Sequence, residues 1–222
     1  MAKIISIIGN KGGTGKTTVS HMLSQGLGDT GCYTVAVLTD CERDKLSRNG
    51  RSYLPFDARN AENLEKVAAK LTNTPDWFGV FDGGANRTDV DRKLAAMSDV
   101  VLLPFRDSEE DIRALLQDLE RFPKAYALPS QWPTNVWQKM TASKLVSRML
   151  AGYEDRIIAP VYNISVSKML LRGELEEKLP SHLNNACRAI TQQVLELIAS
   201  QEIRRAQVDP ATLPAVEVEE FV

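Results

Sequence analysis

Ile4-Ile5-Ser6-Ile7-Ile8-Gly9 runs directly into Asn10-Lys11-Gly12-Gly13-Thr14-Gly15-Lys16-Thr17-Thr18, and this junction decides the fold. A short apolar run, a glycine-rich turn and then a helical pattern make a strand–loop–helix unit. Such a unit cradles phosphate for three physical reasons. Glycines let the loop aim backbone N–H groups inward without Cβ clashes. The helix start adds the positive end of its dipole, and a lysine reaches the β- and γ-phosphates. Gly12-Gly13-Thr14-Gly15-Lys16-Thr17 supplies all of these, with Thr17 placing a hydroxyl where Mg²⁺ would sit. A phosphate loop needs one lysine, yet this one carries two. In the common pattern G-x-x-x-x-G-K-[ST] the first glycine would fall on position 10, which is Asn10.

Outward from the loop the pattern alternates. Residues 3–8 read as a strand, and 17 to about 27 as a helix with Val19, Met22, Leu23 and Leu27 on one face. Further strands are expected over 33–38, 77–81, 99–105, 124–128 and 156–161. Helices are expected over about 60–71 and 88–97, and from Ser108, where Ser108-Glu109-Glu110-Asp111 has the form of a capping box. A last long helix starts at Pro180-Ser181, with Leu183, Ala186, Ile190, Val194, Leu197 and Ile198 facing inward. Residues 40–55 read as irregular, and 129–139, with Trp132 and Trp137, as a loop whose aromatics pack rather than stack on bases. Short apolar strands alternating with amphipathic helices predict an α/β fold. A single doubly wound, mainly parallel sheet would have helices on both faces. One domain is expected over 1–207, followed by a loose acidic tail over 208–222.

The 222 residues carry a formal net charge of −2, so no overall basicity points to nucleic acid. Asp209, Glu217, Glu219 and Glu220 stand in the tail without a basic residue, while 139–188 hold eight Lys and Arg against five acids. Arg204-Arg205 follows. No apolar stretch approaches the roughly 18–20 residues of a membrane span, and the strand begins at once without a signal sequence, so a cytoplasmic protein is expected. Cys32, Cys41 and Cys187 are too widely spaced for a zinc or iron–sulfur site and suit reduced, buried or half-buried thiols.

The stretch K-G-G-x-G-K-[ST] at 11–17 resembles the deviant Walker A loop of the ParA/MinD family of P-loop ATPases, which includes the nitrogenase iron protein. The chain is most similar to the short ParA proteins of plasmid partition. The resemblance covers roughly residues 1–200 and is strongest over 1–20. It implies that ATP or ADP is held by Lys11, Gly12, Gly13, Thr14, Gly15, Lys16, Thr17 and Thr18. It also implies that Lys11 is a signature lysine, reaching across a dimer interface to the partner's nucleotide. Asp40, past the second strand, matches the switch I aspartate that positions Mg²⁺ and the attacking water. Asp82, ending Phe78-Gly79-Val80-Phe81, matches the switch II aspartate, with Gly83-Gly84 behind it. The implied catalytic set is thus Lys11, Lys16 and Asp40, and the Mg²⁺ set Thr17, Asp40 and Asp82. Two departures stand out. Asp40-Cys41-Glu42-Arg43-Asp44 lacks the Asp-Pro-Gln of partition ATPases, and Leu38 stands where the family usually has Asp.

By resemblance the expected activity is Mg²⁺-dependent ATP hydrolysis. An ATP-bound homodimer would bind DNA non-specifically and position cargo, and a ParB-like adaptor would stimulate turnover. The alternatives are an accessory ATPase of conjugation or secretion, or a MinD-like membrane-cycling ATPase. The latter would need a basic amphipathic C-terminal helix. Pro214-Ala215-Val216-Glu217-Val218-Glu219-Glu220 is acidic and proline-broken, which argues against a membrane. Metabolic relatives commonly lack the first lysine, and an electron donor of the nitrogenase type would need cluster cysteines absent here.

Overall fold

The computed structural model describes residues 2–39, 46–84, 88–175 and 178–208. Six strands are β1 (Lys3–Ile7), β2 (Tyr33–Leu38), β3 (Leu54–Asp57), β4 (Trp77–Asp82), β5 (Val100–Phe105) and β6 (Ala125–Pro129). Six helices are α1 (Lys16–Asp29), α2 (Ala61–Thr72), α3 (Thr88–Met97), α4 (Glu109–Arg121), α5 (Val136–Met149) and α6 (Ser181–Val208). All pairings are parallel, in the order β3-β2-β4-β1-β5-β6. Parallel strands require crossovers, and the helices that make them cover both faces.

The two faces follow from period-2 alternation along each strand. Ile5, Ile7, Val80, Val100 and Leu102 point to one side, against Val19, Met22, Leu23 and Leu27 of α1 and Leu183, Cys187, Ile190 and Val194 of α6. Ile4, Ile8, Phe81, Val101 and Leu103 point to the other, against α2, α3, α4 and α5. α1 and α6 approach closely because Gly26 has no side chain: a Cβ there would overlap Thr191 Oγ1 and the carbonyl of Cys187. Cys187 is a buried thiol whose pKa burial pushes up to about 12, as expected for a packing cysteine.

Three expectations are corrected. The irregular stretch at 40–55 runs into β3, an edge strand of sequence LPFD. Of the expected loop at 129–139, residues 136–139 belong to α5; only Ala142 of that helix is buried, so no apolar stripe announces it. Residues 156–161 form no strand. The chain there touches the sheet through isolated bridges, Ala127 to Ile157 and Trp132 to Tyr162, because Pro160 between them has no N–H to continue a ladder. The two tryptophans part company as well: Trp132 is buried edge-on against Phe105, whereas Trp137 is 77% exposed.

Candidate functional site

Ile7 of β1, the central strand of the switch in connectivity, is level with Asp82 of β4 and Leu102 of β5. Leu38 of β2 is level with Asp82 as well. The loop that follows β1 therefore lies at the carboxyl edge of the sheet, where the strand order reverses and doubly wound folds bind ligands. Beyond it the helix begins at Lys16, so the amino end of α1 opens onto the same cleft. That cleft, about 230 Å³, is lined by Gly12 to Thr18 together with Gly83, Gly84 and Gln131.

The loop conformation depends on glycine at a decisive point. Gly15, the residue capping α1, has φ +91°, and a Cβ there would lie 2.7 Å from Ser130 Oγ and 3.1 Å from Gln131 Nε2. An L side chain is thus excluded twice, by backbone and by space. Gln131, itself at φ +52°, donates its amide to the carbonyl of Gly13 over 3.1 Å. It fixes the loop from the β6 side. No sequence motif signals it; only the packing of β6 beside β5 brings it there.

The two lysines of the loop diverge. Lys16 is 7% exposed and donates its ammonium to the carbonyl of Lys11, 2.7 Å away. Lys11 does not line the cleft; its ammonium pairs with the Glu110 carboxylate in the first turn of α4. Thr14 is buried, and Thr17 and Thr18 line the cleft. Asp82 ends β4, buried beneath the loop, and accepts from Ser20 Oγ at 3.3 Å, one turn along α1 from Thr17. Its main-chain oxygen accepts from Thr39 Oγ1 at 2.7 Å, tying the ends of β2 and β4 together. Asp40 and Asp44 lie outside the described residues, as does the tail from 209 on.

A hydroxyl from Thr17 and a carboxylate from Asp82 are hard oxygen donors of the kind Mg²⁺ takes. These residues fit that ion, which would also take oxygens from phosphate and water. Among the described residues no group of three or more His, Cys, Asp or Glu could hold a metal without such help.

Two further acids escape any sequence motif. Asp91 of α3 and Asp118 of α4 are 2% and 4% exposed and lie directly behind the loop. Asp91 Oδ2 accepts from Gly9 N–H at 3.4 Å, and Asp118 Oδ2 from Asn10 N–H at 2.9 Å. Desolvation pushes the Asp91 carboxyl up to about 6, against the pull of the Gly9 amide and of Lys16. Asp118 also accepts from Arg121 at 3.1 Å.

No family model matches the sequence, and no curated protein matches it either. Solved structures do. Nucleotide-free McdA of Cyanothece superposes with a TM-score of 0.64 at 16% identity, covering 87% of this chain and 100% of that one. MinD of Pyrococcus horikoshii, complexed with Mg-ADP, gives 0.64 at 17% identity over 90% of this chain and 99% of that one. This is the MinD-type P-loop fold. A plasmid partition protein of Borrelia burgdorferi bound to AMPPNP shares it, with a TM-score of 0.64 at 13% identity, covering 90% of this chain and 100% of that one. Within the MinD-type fold the loop at 9–17 occupies the end of the central strand, as its sequence predicts. No helix among the described residues is long and apolar enough to cross a membrane.

Proposed function

We propose that this chain is an ATPase switch of the ParA/MinD kind, binding ATP in the cleft at 12–18 and hydrolysing it as a face-to-face dimer. The observation that carries this reading is the divergence of the two lysines. Lys16 is held inside the loop, where it can meet β- and γ-phosphates of its own nucleotide. Lys11 is turned out of the same cleft toward Glu110, on the surface. A cation that does not serve its own loop is suited to serve another copy's, and a charge supplied in trans makes hydrolysis depend on dimerisation.

In this reading Gly12 to Lys16 cradle the phosphates with inward N–H groups, and Thr17, Asp82 and Asp40 would hold Mg²⁺, which would supply positive charge against the phosphates. Asp40 orients the attacking water. Gly83 and Gly84, which line the cleft behind Asp82, give the backbone freedom to respond to the γ-phosphate. The ATP-bound dimer binds DNA non-specifically and positions a cargo, and an adaptor protein of ParB-like role stimulates hydrolysis and release. The likeness in fold to McdA, MinD and a partition protein supports this assignment.

The test is size-exclusion chromatography with light scattering in ADP and in a non-hydrolysable ATP analogue, both with Mg²⁺. A shift from monomer to dimer with the analogue alone is expected. A chain that binds the analogue and stays monomeric overturns the trans role of Lys11.

A further inference from the structure

We propose that Asp91 is a positioning residue of the phosphate loop, anchoring Gly9 from behind and taking up a proton when a nucleotide polyphosphate binds in front. The inference rests on the reading of the cleft as a nucleotide site and adds to it a residue that no loop motif contains.

The geometry is that of a loop gripped from the rear. The chain leaves β1 through Gly9 and Asn10, and these two successive amides are taken by two carboxylates on different helices, Asp91 and Asp118. Gly9 has φ +135°, and a Cβ on it would lie 3.4 Å from Asp118 Oδ2, so the acids reach the backbone itself. Amides held backward at 9 and 10 set the direction from which the following residues turn their own N–H groups forward.

Asp91 lies beside the residues that follow both strands framing the cleft. Its Oδ2 meets Gly9 after β1, and its Oδ1 lies 3.1 Å from where a Cβ on Gly83 would stand, after β4. Gly83 in turn donates its N–H to Ile7 O at 2.9 Å. Among the described residues Oδ1 has no hydrogen-bond partner, although Asp91 is almost wholly buried. A buried carboxylate with one unsatisfied oxygen is costly when charged and well suited to carrying a proton there.

The charges around it decide when. Those facing Asp91 are Lys16 from α1, and Asp118 and Arg121 from α4. Lys16 and Arg121 favour the ionised form, and Asp118 opposes it. With a pKa of about 6, Asp91 is mostly ionised at pH 7.5 while Lys16 serves as its counter-charge. A magnesium–polyphosphate complex, still net negative, draws the field of Lys16 to itself and adds negative charge across the loop from Asp91. Both effects raise the carboxyl further, so the bound complex holds a proton that the free protein does not. Binding then tightens as pH falls from 8 toward 7, by up to about tenfold per unit if one full proton is taken up.

The experiment is isothermal titration of the full chain with ADP and Mg²⁺ at pH 7.5, in two buffers of different ionisation enthalpy, for wild type and Asp91→Asn. Asparagine keeps an acceptor for Gly9 and removes the titration. Wild type should take up a substantial fraction of a proton per nucleotide, and D91N close to none, with affinity equal or higher at pH 8. Equal proton uptake in the two proteins overturns the proposal. A residue acting only in packing would change affinity without changing proton uptake. Should D91N fail to fold, the infrared difference spectrum of wild type with and without ADP decides. A protonated-carboxyl band rising on binding supports the proposal, and its absence overturns it. If wild type binds no ADP in either buffer, the nucleotide reading itself falls; binding without proton uptake sinks the role of Asp91 alone.

Discussion

Lys16 donates its ammonium to the main-chain oxygen of Lys11, 2.7 Å away, so the second lysine of the loop is folded back onto the residue bearing the first. A neutral carbonyl is a modest partner for a buried ammonium, and an ionised phosphate oxygen adds the attraction of opposite charges to the hydrogen bond. The contact holds Lys16 in place without competing seriously with a nucleotide.

Lys16→Ala should therefore weaken nucleotide binding by roughly 100-fold, the loss of a hydrogen-bonded charge pair in a half-closed cleft. Fluorescent-nucleotide titration of the purified variant measures it. Wild-type affinity would remove Lys16 from the site.

Lys11 is predicted to behave differently because its ammonium is on the surface with Glu110. Lys11→Ala should bind nucleotide as the wild type does, yet lose analogue-driven dimerisation and stimulated turnover. Glu110→Gln supplies the opposite perturbation. The exposed pair it breaks is worth at most about 1 kcal/mol in each protomer, so releasing both Lys11 side chains should favour the dimer by up to about thirtyfold. Sedimentation of both variants with the analogue checks this; weaker dimerisation in E110Q would mean that Glu110 itself belongs to the contact.

What the sequence disclosed, and what it hid, follow physical lines. The loop was legible because phosphate binding constrains the backbone locally: the φ of +91° at Gly15 is set within one turn, although Ser130 and Gln131 add a steric reason from far along the chain. The strands of the sheet interior were legible because two-sided burial makes them continuous apolar runs, as in Val100-Val101-Leu102-Leu103. β3 was not, because an edge strand pairing only with β2 tolerates Pro55 and needs few apolar residues. α5 was hidden by its own exposure, since a helix with one buried residue leaves no periodic stripe. Asp91, Asp118 and Gln131 were unreadable for another reason. They reach the loop from α3, α4 and the end of β6, more than eighty residues away in sequence, and only the sheet order brings them together.

One sequence signal that the structure supports in half is the capping box at Ser108, whose Oγ accepts from Asp111 N–H at 3.1 Å at the start of α4. The reciprocal half of a capping box is absent, because the Asp111 carboxylate turns to Arg106 at 2.8 Å. Ser108→Ala should cost about 1 kcal/mol and lower the melting temperature by roughly 2–4 °C. Nucleotide affinity should change little, since neither Ser108 nor Asp111 lines the cleft. Differential scanning calorimetry with a parallel titration tests both halves.

The last prediction concerns which surface the ATP-bound state seeks. The basic residues of 139–188 are not equivalent in the structure. Arg156 spends its guanidinium on the carbonyls of Leu119, Phe122 and Ala125, so it closes the end of α4 rather than facing outward. Arg148 is paired with Glu109, and Lys139 sits over the ring of Tyr162. Lys144, Lys168, Arg172, Lys178 and Arg188 remain exposed. Dimerisation places two copies of any such set on one particle, and each phosphate contact contributes about 0.9 to the salt slope. With ATP and Mg²⁺ the protein should bind duplex DNA of arbitrary sequence, steeply weaker between ~50 and ~200 mM salt, and ADP should weaken it further. Replacing Lys168 and Arg172 by alanine should reduce the slope, whereas Arg156→Ala should lower stability and leave the slope unchanged. Anionic liposomes should be ignored, because the glutamates at 217, 219 and 220 are repelled by them; changing these to glutamine should leave DNA binding equal or stronger. Fluorescence anisotropy across a salt series and liposome co-sedimentation decide between the surfaces. Saturable liposome binding without DNA binding would favour a membrane-cycling switch instead.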